Sequence, residues 1–239
     1  LLGHDLAARL DRVFDELQTQ LVSQLRWERG EVVEAITHDL AGAMGIVRLS
    51  LGMLDVDRAR VVEALRAATH RMRSVVDAFA VLVSIERSRL RPALTPHRFV
   101  TLVERSVANI RPLADAKGMA IDLHVDPAAD VTVLADVGCF EMSLSNVLAN
   151  AVKFAPPGSP ITVRVSLAPP SMVTVGVTDT GPGLGRDEIE SVFQRHVRGR
   201  ARPTGSESSL GLGLYISRAM CELMGGRVWA ESAGYGTGA

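Results

Sequence analysis

The first proline of this chain is Pro92. Everything ahead of it lacks the residue that removes a backbone donor and clashes with the preceding helical turn. Within that stretch apolar side chains return at steps of three and four, the spacing of one helical face. Leu6, Leu10, Val13 and Leu17 keep a coiled-coil rhythm. A second stripe runs through Val32, Ile36, Leu40, Ala43, Val47, Leu51 and Leu54. After "GMLDVD" the pattern restarts as Val62, Leu65, Thr69, Met72, Val76, Phe79 and Val83. This predicts helix almost throughout to about Ser88, with two long amphipathic helices joined in a hairpin. A single hairpin has too little partner surface to cover two such stripes. Pairing of two copies as a homodimeric four-helix bundle would bury both.

"RLRPALTPHRF" then breaks the helix with two prolines and marks a domain boundary. Beyond it the texture alternates. Thr101 to Lys117 reads as helix with a kink at Pro112. "AIDLHVD", "ITVRVSL" and "VTVGVTD" alternate apolar and polar residues, as strands do. Helices fit Asp136 to Phe154 and Leu210 to Leu223. Such mixing indicates an α/β sandwich with helices on one sheet face. The whole chain is therefore expected to be α+β, a helical hairpin followed by a sandwich. With 239 residues, 47% of them apolar and 22% charged, it can fold and bury a core. A net charge of −1 gives no electrostatic drive toward nucleic acid or anionic lipid, and no nucleic-acid partner is expected. Cys139 and Cys221 lack metal-ligand spacing and read as packing residues in a reducing compartment. The longest apolar run, Ala78 to Val83, falls far short of the roughly 20 residues that span a bilayer. No signal peptide is visible. The chain begins inside a helical pattern, so it reads as part of a longer protein.

The stretch "ITHDLAGAMGIV" carries the first candidate chemistry. At about 100° per residue from Ile36, Leu40, Ala43 and Val47 stay within about 40° of it, while His38 falls near 200° on the opposite face. Ala41, Gly42 and Gly45 share that face. Each glycine costs about 1 kcal/mol against alanine inside a helix. Small residues around an imidazole leave it open to a bulky partner, and Asp39 can hold the ring or take its proton. "NVLANAVKF" puts Asn146 and Asn150 on one helix face, with Lys153 near the next turn. A carboxamide oxygen can ligate Mg²⁺ and a lysine can meet phosphate. "VTVGVTDTGPGLG" ends a strand in Asp179, followed by Gly181, Gly183 and Gly185. A carboxylate there can accept a hydrogen bond from an exocyclic amino group, and the glycines admit a flat ligand. "SSLGLGLYIS" opens an apolar helix with Gly211 and Gly213, whose free N–H groups suit phosphate. Between them "RHVRGRARPTGSESS" has the length and composition of a lid.

The order His-Asp-Leu, Asn-x₃-Asn-Ala-x-Lys-Phe, Asp-x-Gly-x-Gly, Phe, Gly-Leu-Gly-Leu resembles a bacterial two-component sensor histidine kinase from about Leu6 onward. That resemblance implies a signalling coiled coil over residues 1–29 and a dimerisation and histidine-phosphotransfer hairpin over residues 30–92. It further implies an ATP-binding domain of the gyrase/histidine kinase/MutL type over residues 93–239. His38 would be the phosphoacceptor and Asp39 its acidic neighbour. Asn146, Asn150, Lys153 and Phe154 would form the N box, with Asn150 the Mg²⁺ ligand. Asp179, Gly181 and Gly183 would form the adenine-reading glycine box. Phe193 would be the F-box phenylalanine, with Arg195 and Arg198 as its basic companions. Gly211, Leu212 and Gly213 would form the second glycine box. The implied cofactors are ATP and Mg²⁺. The implied partners are a second copy, the receiver domain of a response regulator, and a sensor domain upstream on the same polypeptide. The implied place is the cytoplasm, either free or as the cytoplasmic part of a membrane receptor.

Two features depart from that family. Its usual basic, Thr/Asn and proline residues after the histidine are here Ala41, Gly42 and Ala43. Gly42 thus lacks the side chain that orients the hydrolytic water in the family's phosphatase reaction, while the glycines can supply a proline's pliancy. The chain also stops at "YGTGA", where the family continues into a closing strand, so the C-terminal strand is expected to be truncated. Two other classes stay open. One is a histidine phosphotransfer or scaffold protein with a weakly active nucleotide domain. The other is a gyrase/MutL-type ATPase using a water nucleophile, with Glu141 as its base.

Overall fold

A computed structural model describes residues 58–86, 90–168, 172–194 and 211–239, together with positions 41, 42, 44, 45 and 47. The chain divides into two compact units, Leu1–Val83 and Ser84–Ala239. In the first, the five described positions between 41 and 47 are helical. Ala41 and Gly42 are exposed and Val47 is buried, as the helical face assignment requires. The coiled-coil stripe before residue 30, the turn at "GMLDVD", His38 and Asp39 lie outside the described residues. Helix α1, Arg58–Glu86, buries Val61, Ala68, Val75 and Leu82, each seven residues after the last. Val62 and Val76, on the adjoining stripe, remain 47% and 52% exposed.

The second unit is α+β. Strand β1, Thr95–Arg98, runs into helix α2, Phe99–Asp115. The helix buries Phe99, Leu102, Val103, Ser106, Val107 and Ala114 at steps that keep one face inward. Pro112 opens its last turn, where it removes one N–H bond to the preceding turn, and the helix ends three residues later. Gly118, at φ 65°, takes the left-handed conformation that closes the helix, and Met119 N–H returns to the Ala114 carbonyl at 3.0 Å. Strand β2, Ile121–Val125, a short 3₁₀ turn at Pro127–Ala129 and strand β3, Thr132–Ala135, follow. Then come helix α3, Val137–Phe154, and strands β4, Ile161–Ala168, and β5, Met172–Thr178. Helices α4, Glu188–Ser191, and α5, Gly213–Leu223, complete the elements.

Strands β2, β4 and β5 form one sheet in that order, β2 parallel and β5 antiparallel to the central β4. Ile161, Val163 and Val165 of β4 are fully buried at alternate positions. They meet Val103 and Val107 of α2 and Leu144, Leu148 and Val152 of α3 in one core cluster. The sequence placed these three strands and both helices, the first helix starting two residues earlier than expected. It did not place β1 and β3, which pair antiparallel as a separate ribbon, Thr95 opposite Ala135. The segment read only as a break therefore contributes a strand. Pro96 is tolerated there because a two-stranded ribbon is all edge. Residues 226–239 form no strand.

Candidate nucleotide-binding site

Asp136 fixes the start of α3. Its Oδ1 accepts the Cys139 N–H at 3.0 Å and its Oδ2 the Ala93 N–H at 2.8 Å. These bonds, first that from Cys139, hold its carboxyl below its ordinary pKa. Burial pushes the neighbouring Cys139 thiol up to about 11, which keeps it unreactive. From this cap the helix carries both asparagines along one side.

Asn146 and Asn150 differ in their surroundings. Asn146 donates through Nδ2 to the Gly213 carbonyl at 3.2 Å, so the asparagine helix and the second glycine box touch directly. One turn away Ser143 and Ser217 exchange hydroxyl-to-carbonyl bonds of 3.1 and 2.9 Å, reinforcing the same seam between α3 and α5. No described group hydrogen-bonds the Asn150 carboxamide. Among the described residues no cluster of three or more His, Cys, Asp or Glu is arranged for a metal. A cation at Asn150 would take one carboxamide oxygen and draw its other ligands from phosphate and water. That donor set suits Mg²⁺, which keeps waters and shares substrate phosphates. Lys153 is 7% exposed, its ammonium 5.3 Å from the centroid of the Phe154 ring.

Asp179 follows the last residue of β5. Its Oδ1 accepts the Gly181 N–H at 2.7 Å, and its own N–H donates to the Ala239 carbonyl at 2.9 Å. Burial pushes its carboxyl up from its ordinary pKa, and backbone hydrogen bonds at Gly181 and Ala239 pull part of the way back. A Cβ at Gly181 would lie 2.7 Å from Asp179 Oδ1 and 3.3 Å from the Phe154 backbone. The aspartate loop is thus pressed against the C-terminal end of the asparagine helix, and only glycine permits it. Gly183, at φ 69°, would drive a Cβ into the Gly234 carbonyl.

Phe193 is 3% exposed, and the Arg218 guanidinium lies 5.0 Å from its ring centroid. It is a packing anchor at the entrance to residues 195–210. Gly211 is at φ 64°, Leu212 is buried, and Gly213 opens α5. The structure therefore brings together Asn146 with Gly213, and Phe154 with Gly181. Arg195, Arg198 and the rest of the segment read from the sequence as a lid lie outside the described residues. Sequence reasoning overlooked Ser143 and Ser217. Two serines on otherwise apolar helix faces were the available signal.

The fold and these contacts define a nucleotide-binding domain of one class. Residues 138–239 match the family described as histidine kinase-, DNA gyrase B-, and HSP90-like ATPase. Along most of its length the chain resembles bacterial sensor histidine kinases. It is 31% identical over 233 residues to sensor protein FixL of Bradyrhizobium diazoefficiens, covering 91% of this chain and 44% of FixL. It is 26% identical over 230 residues to adaptive-response sensory kinase SasA of a Synechococcus strain, covering 93% of this chain and 56% of SasA. The chain spans about half the length of these curated relatives. Histidine kinase ThkA, solved in complex with response regulator protein TrrA, superposes with a TM-score of 0.66 at 16% identity. That match covers 95% of this chain and 63% of ThkA, and shows a shared fold.

Proposed function

We propose that the chain is a kinase core that transfers the γ-phosphoryl group of ATP to His38 and then to an aspartate of a response regulator's receiver domain. The meeting of the asparagine helix with both glycine boxes supports this reading most strongly. It gathers a half-buried carboxylate, a carboxamide that hydrogen-bonds no described group and a glycine-led helix start within one domain. In the first step a ring nitrogen of His38 bonds to the γ-phosphorus as the bond to the β-bridging oxygen breaks and ADP leaves. Asp39 holds the tautomer that leaves the attacking nitrogen unprotonated. Asp179 accepts from the adenine amino group, and Asn150 holds the cation that accompanies the phosphates. Bound Mg²⁺ would offset phosphate charge. Positioning supplies the rate, as expected where the protein has little covalent work to do.

The domain division proposed is a signalling coiled coil over residues 1–29, a hairpin over residues 30–92 and the ATP-binding domain from residue 93. A second copy would complete the four-helix bundle. A sensor domain upstream would set how readily the hairpin bends. The proposed place is the cytoplasm. Among the described residues no helix is long and apolar enough to cross a membrane.

The water-nucleophile alternative needs Glu141 as a free base. Glu141 is instead 2.9 Å from the Arg105 guanidinium of α2, an ion pair between two helices. Incubation with γ-labelled ATP tests the proposal. Acid-labile, base-stable label should appear on the wild-type chain and vanish in His38→Gln, with nucleotide binding retained. Free phosphate without labelled protein would support the ATPase instead.

A further inference from the structure

Residues 232–239 lie along the loop from Asp179 to Glu188 as a strap. Asp179 N–H donates to the Ala239 carbonyl at 2.9 Å, and Gly236 N–H to the Pro182 carbonyl at 2.7 Å. Leu184 N–H donates to Ser232 Oγ at 3.1 Å, and Ser232 Oγ donates to the Gly238 carbonyl at 2.6 Å. A Cβ on Gly238 would collide with the Asp179 carbonyl. At the far end of the loop Glu188 is only 7% exposed. Its Oε2 accepts two hydrogen bonds, from Gly185 N–H at 3.0 Å and from Tyr235 O–H at 2.7 Å. A buried carboxylate needs such donors, and removing one leaves charge incompletely satisfied. A Cβ on Gly185 would lie 2.7 Å from the Tyr235 hydroxyl, so the glycine there makes room for the tyrosine.

We infer that Glu188 and Tyr235 are positioning residues for adenine recognition: their hydrogen bond clamps the strap onto the loop and so fixes the Asp179 carboxylate. The inference rests on the reading of Asp179 as the base-contacting group. Tyr235 keeps its ring half in solvent, 52% exposed as a whole residue, while its hydroxyl reaches the buried carboxylate. The strap reaches Asp179 through one backbone bond, so its own placement governs that of the aspartate. Neither residue needs to touch the nucleotide.

The test compares ATP with inosine triphosphate, which carries a carbonyl where adenine carries its amino group. Dissociation constants are measured on the full chain in EDTA by competition with trinitrophenyl-ATP. Wild type should prefer ATP. In Tyr235→Phe that preference should narrow about fivefold to tenfold, because Asp179 is no longer held in register. Glu188→Gln keeps a carbonyl oxygen able to accept both donors and should retain most of the wild-type preference. A general loosening of the fold would weaken both nucleotides alike and leave their ratio unmoved. An unchanged ratio in Tyr235→Phe therefore overturns the inference even if both affinities fall. Absence of any ATP preference in wild type would instead remove the Asp179 assignment, and the positioning role with it.

Discussion

Asp179, the proposed adenine-reading carboxylate, is tuned by what surrounds it. Its carboxyl is pushed up by burial, so it protonates at a higher pH than an exposed carboxylate would. The ionised form is the better acceptor for an amino N–H. Asp179→Asn should therefore weaken metal-free nucleotide binding by about tenfold, the scale of one charge-assisted hydrogen bond. Isothermal titration with ATP in EDTA reads that loss directly, and an unchanged affinity would remove Asp179 from the site. The pH dependence follows from the same shift. As pH falls through the raised pKa the wild type loses its charged acceptor, so the gap between wild type and Asp179→Asn should shrink on acidification. Asn150 makes a separate case. Asn150→Ala should spare binding in EDTA while cutting ATP use in Mg²⁺, because the carboxamide is proposed to meet the cation and not the base. Equal losses under both conditions would assign Asn150 to nucleotide contact instead.

Helix ends and helix interiors carry the element-scale predictions. Asp136 caps α3, the helix that bears both asparagines, with two backbone bonds. Its depressed pKa means that the cap's contribution is present above the ordinary carboxylate pKa and is lost as pH falls through the lower native value. Asp136→Ala should cost about 1 kcal/mol near neutrality, and the difference from wild type in chemical denaturation should fade in acid. At Gly42 and Gly45 a Cβ would meet nothing within 4 Å. Replacing both with alanine should raise helix stability by up to about 2 kcal/mol, one per site. If the glycines exist to let the helix bend, the same change should slow autophosphorylation. A higher melting temperature with an unaltered labelling rate would show that they do not.

What the sequence disclosed follows the same physics. Strands β2, β4 and β5 were legible because one face of each meets the core, which writes an alternation into "IDLHV" and "ITVRVSLA". Strand β3 carried a weaker mark, since only Val133 and Ala135 face inward and Leu134, an apolar residue on the outward face, is 65% exposed and blurs the alternation. Glu188 was hidden as one acid among several in "RDEIES". Its burial depends on Tyr235, 47 residues away. Asn146 was read as a candidate ligand from its helix position. Its bond to Gly213 spans 67 residues and leaves no local trace.

At the scale of the molecule, helix α1 poses the question of what covers it. Val61, Ala68, Val75 and Leu82 are buried, all one heptad apart. The adjoining stripe repeats the same interval at Val62, Thr69 and Val76, and these are exposed. Two seams at heptad spacing on one helix fit a bundle in which one seam packs inside the hairpin and the other meets a second copy. Burying an exposed valine contributes about 1.5 kcal/mol or more, and two copies of the stripe supply four such residues. The double substitution Val62→Glu and Val76→Glu places like charges opposite one another at that seam and removes the apolar contact. Sedimentation velocity at micromolar concentration should find the wild-type chain as a dimer and the variant as a monomer. Nucleotide affinity should stay within about twofold of wild type, since Asp179, Asn150 and their supports all lie in the unit from Ser84 to Ala239. A wild-type chain that sediments as a monomer would refute the four-helix bundle while leaving the nucleotide site intact. A variant that stays dimeric would move the interface to the coiled-coil stripe of Leu6, Leu10, Val13 and Leu17.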